Sequence, residues 1–258
     1  MEKKSLQRNL QKLVDKGVIH MFKDYLNKFR GLITEENENN GICYDGVVDK
    51  EHYFAREKRL MFLLKETNGN DNNGDRNDVL NDWEYMGWVY NQALMKEPLY
   101  RSVYRNIAMW SRMFNVYADE KRTPEAYEFI NENGIIIDEK LCNSLLDISI
   151  INLKKSWGNE ATDWNKMDRY LDDKQRRQIL RYQICELKPT LVLCGGTFDF
   201  AKKIFDNNVE EKSQEGIRYF VKDSSIFVSC YHPSKPGWSR QKSFDHIDRI
   251  FKNFITTE

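Results

Sequence analysis

Five consecutive apolar residues, Leu60-Met61-Phe62-Leu63-Leu64, stop abruptly at the polar turn Lys65-Glu66-Thr67-Asn68-Gly69. A strand with one wet face alternates apolar and polar residues. A continuous apolar run has no wet face and needs cover on both sides. Such a strand belongs inside a parallel sheet flanked by helices, and the rest of the chain has to supply its neighbours.

Three later segments read as those neighbours. Asp147 to Ile151 reads as a strand ending in Asn152. Thr190 to Cys194 follows Pro189 and ends in Gly195-Gly196. Ser225 to Cys230 ends in Tyr231-His232-Pro233-Ser234, and Ile217 to Val221 is an extra strand candidate before it. Helical patterns lie between and after them. Asp172 or Asp173 is placed to cap a helix carrying Ile179, Leu180, Ile184 and Leu187. Thr197 is placed to cap one with Phe198, Ala201 and Phe205, and Ser243 the last, with Phe244, Ile247, Ile250, Phe251 and Phe254 on one face. Strands alternating with helices predict an α/β fold with a mainly parallel sheet.

The first thirty residues carry helical spacing, and the polar run Glu35 to Asn40 with Gly41 separates them from the rest of the chain. Residues 1–45 are therefore read as an N-terminal helical extension and 46–258 as the α/β domain. That domain carries a helical, aromatic-rich insertion at about 83–145.

With 258 residues the chain is long enough to bury a sizeable core. The 40 basic and 40 acidic residues cancel, which excludes a globally basic nucleic-acid coat but not a local basic face. No unbroken apolar run reaches membrane-spanning length, and no signal-peptide core follows the first lysines, so a cytoplasmic protein without a membrane partner is expected. Five cysteines without a CxxC pair support neither a disulfide framework nor a zinc knuckle, and read as reduced, mostly buried thiols. The absence of HExxH and of clustered histidines leaves no metal site to expect.

Ligands of open parallel sheets bind beyond the carboxyl ends of the strands, and the unusual residues of this chain stand there. The Lys65–Gly69 turn is placed to hold a water and a ligand, or is simply a solvated turn. The Asn152 amide donates and accepts, so it suits a base or amide edge, with Lys154 and Lys155 beside it for phosphates. The blander reading is an Asn ending a strand beside solvated lysines. Gly195-Gly196 allows close backbone approach before a helix, or only tight packing. His232, in a turn stiffened by Pro233, is placed to donate to a developing anion, or is structural.

Taken in order, these four strand ends resemble the uracil-DNA glycosylase superfamily over roughly residues 58–255. IINLKK, PTLVLCGG and YHPS carry the likeness most strongly. The resemblance implies a three-layer α/β/α sandwich around a four-stranded, mainly parallel sheet. It also implies hydrolysis of the N-glycosidic bond of a damaged or modified base in DNA, after base flipping and without a cofactor. By motif, Asn152 reads the base, His232 stabilises the leaving base as an anion, and the first turn handles water. Lys65 and Asn68 stand where family turns carry Gly and Pro, and Thr67 where other members place Asp, Asn or Ala. Glu66 or Asn68 is then the water-handling residue. Thr67, Gly69 and Ser234 join the base site, and Trp88 is the aromatic expected to stack on the base. Lys154, Gly195, Trp238, Arg240 and Lys242 are the expected nucleic-acid contacts. Trp238 is either a wedge in the duplex or a residue packed on the final helix.

Residues 65–82 carry a net charge of −3, whereas 231–252 carry +3. Two other functions stay open for the same fold. One is a catalytically inactive module that binds a base, nucleotide or nucleic acid, which the missing motif carboxylate and acidic loop favour. The other is an N-glycosidase acting on a small nucleoside-like substrate, which needs no broad basic face.

Overall fold

The computed structural model describes residues 45–65, 102–154 and 163–255. The extension at 1–44 and the first part of the insertion, 83–101, lie outside the described residues, as do Glu66, Thr67, Asn68, Gly69 and Trp88. The chain begins with β1 (Gly46–Val47), helix α1 (Lys50–Ala55) and β2 (Leu60–Leu64). Helix α2 (Ser102–Asn115) follows, then the short hairpin β3 (Ile130–Asn131) and β4 (Gly134–Ile135), and α3 (Glu139–Asn143). Next come β5 (Ile148–Asn152), α4 (Trp164–Tyr170), α5 (Lys174–Leu187), β6 (Leu191–Gly195) and α6 (Phe198–Ile204). The strands β7 (Lys212–Gln214), β8 (Ile217–Lys222) and β9 (Ser225–Cys230) precede the last helix, α7 (Arg240–Phe254). No described helix is long and apolar enough to cross a membrane.

The main sheet has seven strands in the order β1-β5-β2-β6-β9-β8-β7. Its centre, β5-β2-β6-β9, is parallel throughout and consists of the four strands expected from the sequence. A sheet of four strands was expected. Three antiparallel strands extend it, β1 beside β5 at one edge and β8 then β7 beside β9 at the other. The extra strand Ile217–Lys222 had a visible apolar pattern. Gly46–Val47 is too short to show one, and Lys212–Gln214 is too short and too polar.

Every residue of β2, β5 and β6 is buried. Alternate side chains feed two cores, one on each face. Leu60, Phe62 and Leu64 join α2 and α7 on one side. Met61 and Leu63 join α4, α5 and α6 on the other. This is the helix–sheet–helix layering that an unbroken apolar run demands.

The helix starts follow capping chemistry. Of the two candidates, Asp173 caps α5, accepting from the Gln175 and Arg176 amides. Ser243 does not cap the last helix. Ser239 does, accepting from Lys242 N at 3.2 Å. Ser243 lies inside α7, buried, where its Oγ accepts from Trp110 Nε1 at 3.1 Å. The first turn of α7 is polar and exposed, so the apolar face begins after the true cap. Thr197 stands before α6, but its hydroxyl donates to Leu63 O at 2.7 Å and ties β6 to β2 instead of capping its own helix. The insertion is less uniformly helical than expected. After α2 it runs through a π turn (Val116–Glu120), a 3-10 turn (Ala126–Glu128) and the β3–β4 hairpin.

Phe62 is fully buried and its ring stacks on Trp110, with centroids 6.2 Å apart. Phe62→Ala is expected to lower the unfolding free energy by about 3–5 kcal/mol, read as a shifted urea midpoint with little change in slope.

Candidate site at the strand carboxyl ends

The parallel strands present their carboxyl ends side by side, in the order Asn152, Leu64, Gly195, Cys230. Pairing places Leu64 opposite Asn152 and Gly195 opposite Cys230. β2 and β5 stay paired beyond the strands proper, with Leu153 N on Leu64 O at 2.9 Å and Lys154 N on Lys65 O at 3.0 Å. Asn152 is 2% exposed. Its backbone N–H donates to the buried Asp45 carboxylate at 2.6 Å, and Gln183 donates its side-chain amide to the same carboxylate at 3.1 Å. Asp45, just ahead of β1, therefore fixes the end of β5.

Gly195 is the pinch point. A Cβ built there would lie 2.9 Å from Leu64 Cδ2 and 3.3 Å from Pro233 Cδ, with His232 Cα at 3.6 Å. The end of β2 and the His-Pro turn close on each other through the space that a side chain would fill. Gly196 adopts φ +71°, has open space beside it, and donates its N–H to Cys230 O at 2.9 Å.

The His232 turn is held at three points. Lys235 N donates to His232 O at 2.9 Å, and Asn106 Nδ2 on α2 donates to Pro233 O at 2.6 Å. The Ser234 backbone N–H donates to His232 Nδ1 at 3.2 Å, and Ser234 Oγ lies 2.7 Å from the same nitrogen. A backbone N–H can only donate, so Nδ1 must be the acceptor. The neutral ring then carries its proton on Nε2 and is a donor there. Burial, with the Lys65 charge adding to it, pushes the His232 pKa down to about 4. The imidazole is thus a neutral Nε2–H donor at physiological pH.

Beyond the turn, Trp238 packs its ring 4.5 Å from Tyr231 and 5.2 Å from His246 on α7. Lys235 Nζ lies 3.1 Å from the Tyr231 ring centre and 4.4 Å from that of Trp238. His246, which had no distinctive setting in the sequence, is partly buried in this cluster, and its Nε2 has no hydrogen-bond partner among the described residues. Burial pushes its pKa down to about 4 as well. Arg240 lays its guanidinium against Gly134 of the hairpin, where a Cβ would meet Nε at 2.9 Å, and Lys242 is exposed.

Of the expected site residues, the fold brings Asn152, Lys154, Gly195, His232 and Ser234 to one end of the sheet. Asp45 and Asn106 were not legible as site residues. Each acts on the site through a contact far away in sequence, and no local pattern marks it. The described cysteines Cys142, Cys185, Cys194 and Cys230 are free thiols, three of them buried, as expected. No family model matches the chain, and no curated protein matches it.

Gly195→Ala should destabilise the fold by about 1–3 kcal/mol and shift the His232 ring resonances, because a Cβ there forces β2 and the His-Pro turn apart. The histidines also set a pH dependence. Between about pH 6.5 and about pH 4 the unfolded chain takes up protons at residues 232 and 246 that the folded protein refuses. Stability should therefore fall as pH drops through that window, and His232→Gln should flatten the slope in denaturation measured against pH.

Proposed function

We propose that this protein is a uracil-DNA-glycosylase-like hydrolase that cleaves the N-glycosidic bond of a modified or damaged base in DNA. The observation that carries this reading is the His232 ring, a neutral Nε2–H donor fixed by Ser234 at the carboxyl end of the sheet. Asn152 stands three strands away in the same row, a backbone separation of about 14 Å. The α/β layering and the four central parallel strands are consistent with that superfamily's sandwich.

The chemistry follows from charge. The C1′–N bond breaks with its electron pair going to the base, leaving positive charge on the sugar and negative charge on the base. The Nε2–H of His232 donates to the base oxygen where that charge collects. Water adds its oxygen to C1′ and yields one proton, which returns to the base, so the products are the free base and an abasic sugar. Asn152 orients the base edge. Glu66 or Asn68, each of which follows β2 in the sequence, positions the water. A neutral donor suits this task, because an imidazolium would carry a desolvation cost in the ground state.

The test is base release from single- and double-stranded oligonucleotides carrying uracil, hypoxanthine, xanthine or modified pyrimidines, with abasic sites scored by alkaline cleavage. Release should fall by about 10²–10³-fold in His232→Ala. DNA binding should be retained and should weaken with salt. Release that survives both His232→Ala and Asn152→Ala would overturn the site. Salt-dependent binding without release of any base would favour a binding module instead.

A further inference from the structure

Asn106 lies on α2, half-buried, and its side-chain amide donates to Pro233 O at 2.6 Å. That oxygen belongs to the Pro233–Ser234 peptide, whose N–H is the group that donates to His232 Nδ1 at 3.2 Å. The peptide is trans. In a trans peptide the C=O and N–H are coplanar and point to opposite sides, so whatever holds the oxygen aims the hydrogen. With its oxygen on Asn106, the peptide presents its N–H to the imidazole. Turned over about its flanking bonds, it would present its oxygen instead, and Nδ1 would have to carry the proton to meet it. Donation to the oxygen also polarises the peptide and strengthens its N–H as a donor.

Asn106 is itself firmly carried. One turn further along α2, Trp110 stacks on Phe62 of the central strand β2 and donates Nε1 to Ser243 Oγ on α7 at 3.1 Å. Positions i and i+4 share a helix face. That face thus reaches the segment joining β9 to α7 near its start, at Pro233, and the helix just beyond its end, at Ser243. Two other contacts act on the same turn. Lys235 N donates to His232 O at 2.9 Å, which closes the turn without touching the 233–234 peptide. Ser234 Oγ lies 2.7 Å from Nδ1, but a hydroxyl rotates to donate or to accept, so it follows the ring proton and does not dictate it. Of these contacts, the Asn106 amide is the one that sets the direction of the peptide.

We propose that Asn106 is a positioning residue for His232: through one peptide group it dictates the imidazole tautomer and holds the ring proton on Nε2 at the strand carboxyl ends. The site then offers a directed donor to an accepting ligand atom, such as a base oxygen that becomes an oxyanion. The ligand class rests on the glycosylase reading. The relay from Asn106 to Nε2 does not.

The test is a nitrogen-correlated NMR spectrum of the imidazole rings in the full chain at neutral pH, with the His232 signals assigned by their loss in His232→Gln. The wild-type ring should show a protonated Nε2 and a bare Nδ1. Asn106→Leu keeps the size of the side chain and removes the donor. It should raise the ratio of the Nδ1–H form to the Nε2–H form by about three- to tenfold, the weight of one hydrogen bond. The two ring nitrogen shifts then draw together, and the Ser234 amide proton moves upfield. A role in packing alone would move neither signal in this way. Unchanged signals in Asn106→Leu overturn the proposal and leave the Ser234 hydroxyl to settle the tautomer. Should that variant fail to fold, Asn106→Asp, which keeps the shape and as a carboxylate cannot donate, decides alone by the same two signals. With the signals moved, absence of base release from the wild-type protein would overturn the glycosylase reading and leave the relay standing.

Discussion

The arrangement at the strand ends depends on one absence of atoms. Gly195 ends the strand between β2 and β9, and its missing Cβ is the space into which Leu64 and Pro233 close. Because of that closure the His-Pro turn sits against the sheet and is not carried off by the loop. The hydrogen bonds from Asn106 and within the turn then fix its orientation. A side chain there would cost packing energy and force Leu64 and the His-Pro turn apart.

The His232 ring held there is a neutral donor. Ser234 N–H settles the tautomer of His232 by occupying Nδ1, while burial and the Lys65 charge settle its protonation state. These controls come from different parts of the chain, a turn, a core and the end of another strand, and they converge on one atom, Nε2. Such a donor loses little in the ground state and gains when negative charge develops opposite it. The aromatic and cationic cluster of Tyr231, Lys235, Trp238 and His246 braces the same turn from the helix side.

The central strands were legible because burial on both faces writes itself as unbroken apolar runs. Leu60–Leu64 and Ser225–Cys230 have the bounds that their sequences indicate, and the other two central strands are offset by one residue. The edge strands β1 and β7 were not legible. A strand of two or three residues, partly exposed, has no period to read. The cap of the last helix was displaced by four residues, because the sequence pattern begins where apolar residues begin and the helix begins one polar turn earlier. At the site, Asn152, Gly195 and His232 could be picked out as unusual residues at strand ends. Asp45 and Asn106 could not, since their roles exist only through contacts with segments far along the chain.

The proposed reading requires the strand carboxyl ends to hold a free base, so the most direct measurement is NMR mapping of the protein titrated with free nucleobases. The account expects at least one base to move the His232 Nε2–H signal and the Asn152 side-chain amide signals together, at one saturating concentration. Bases that shift neither signal, or that shift only residues away from the strand carboxyl ends, would contradict it.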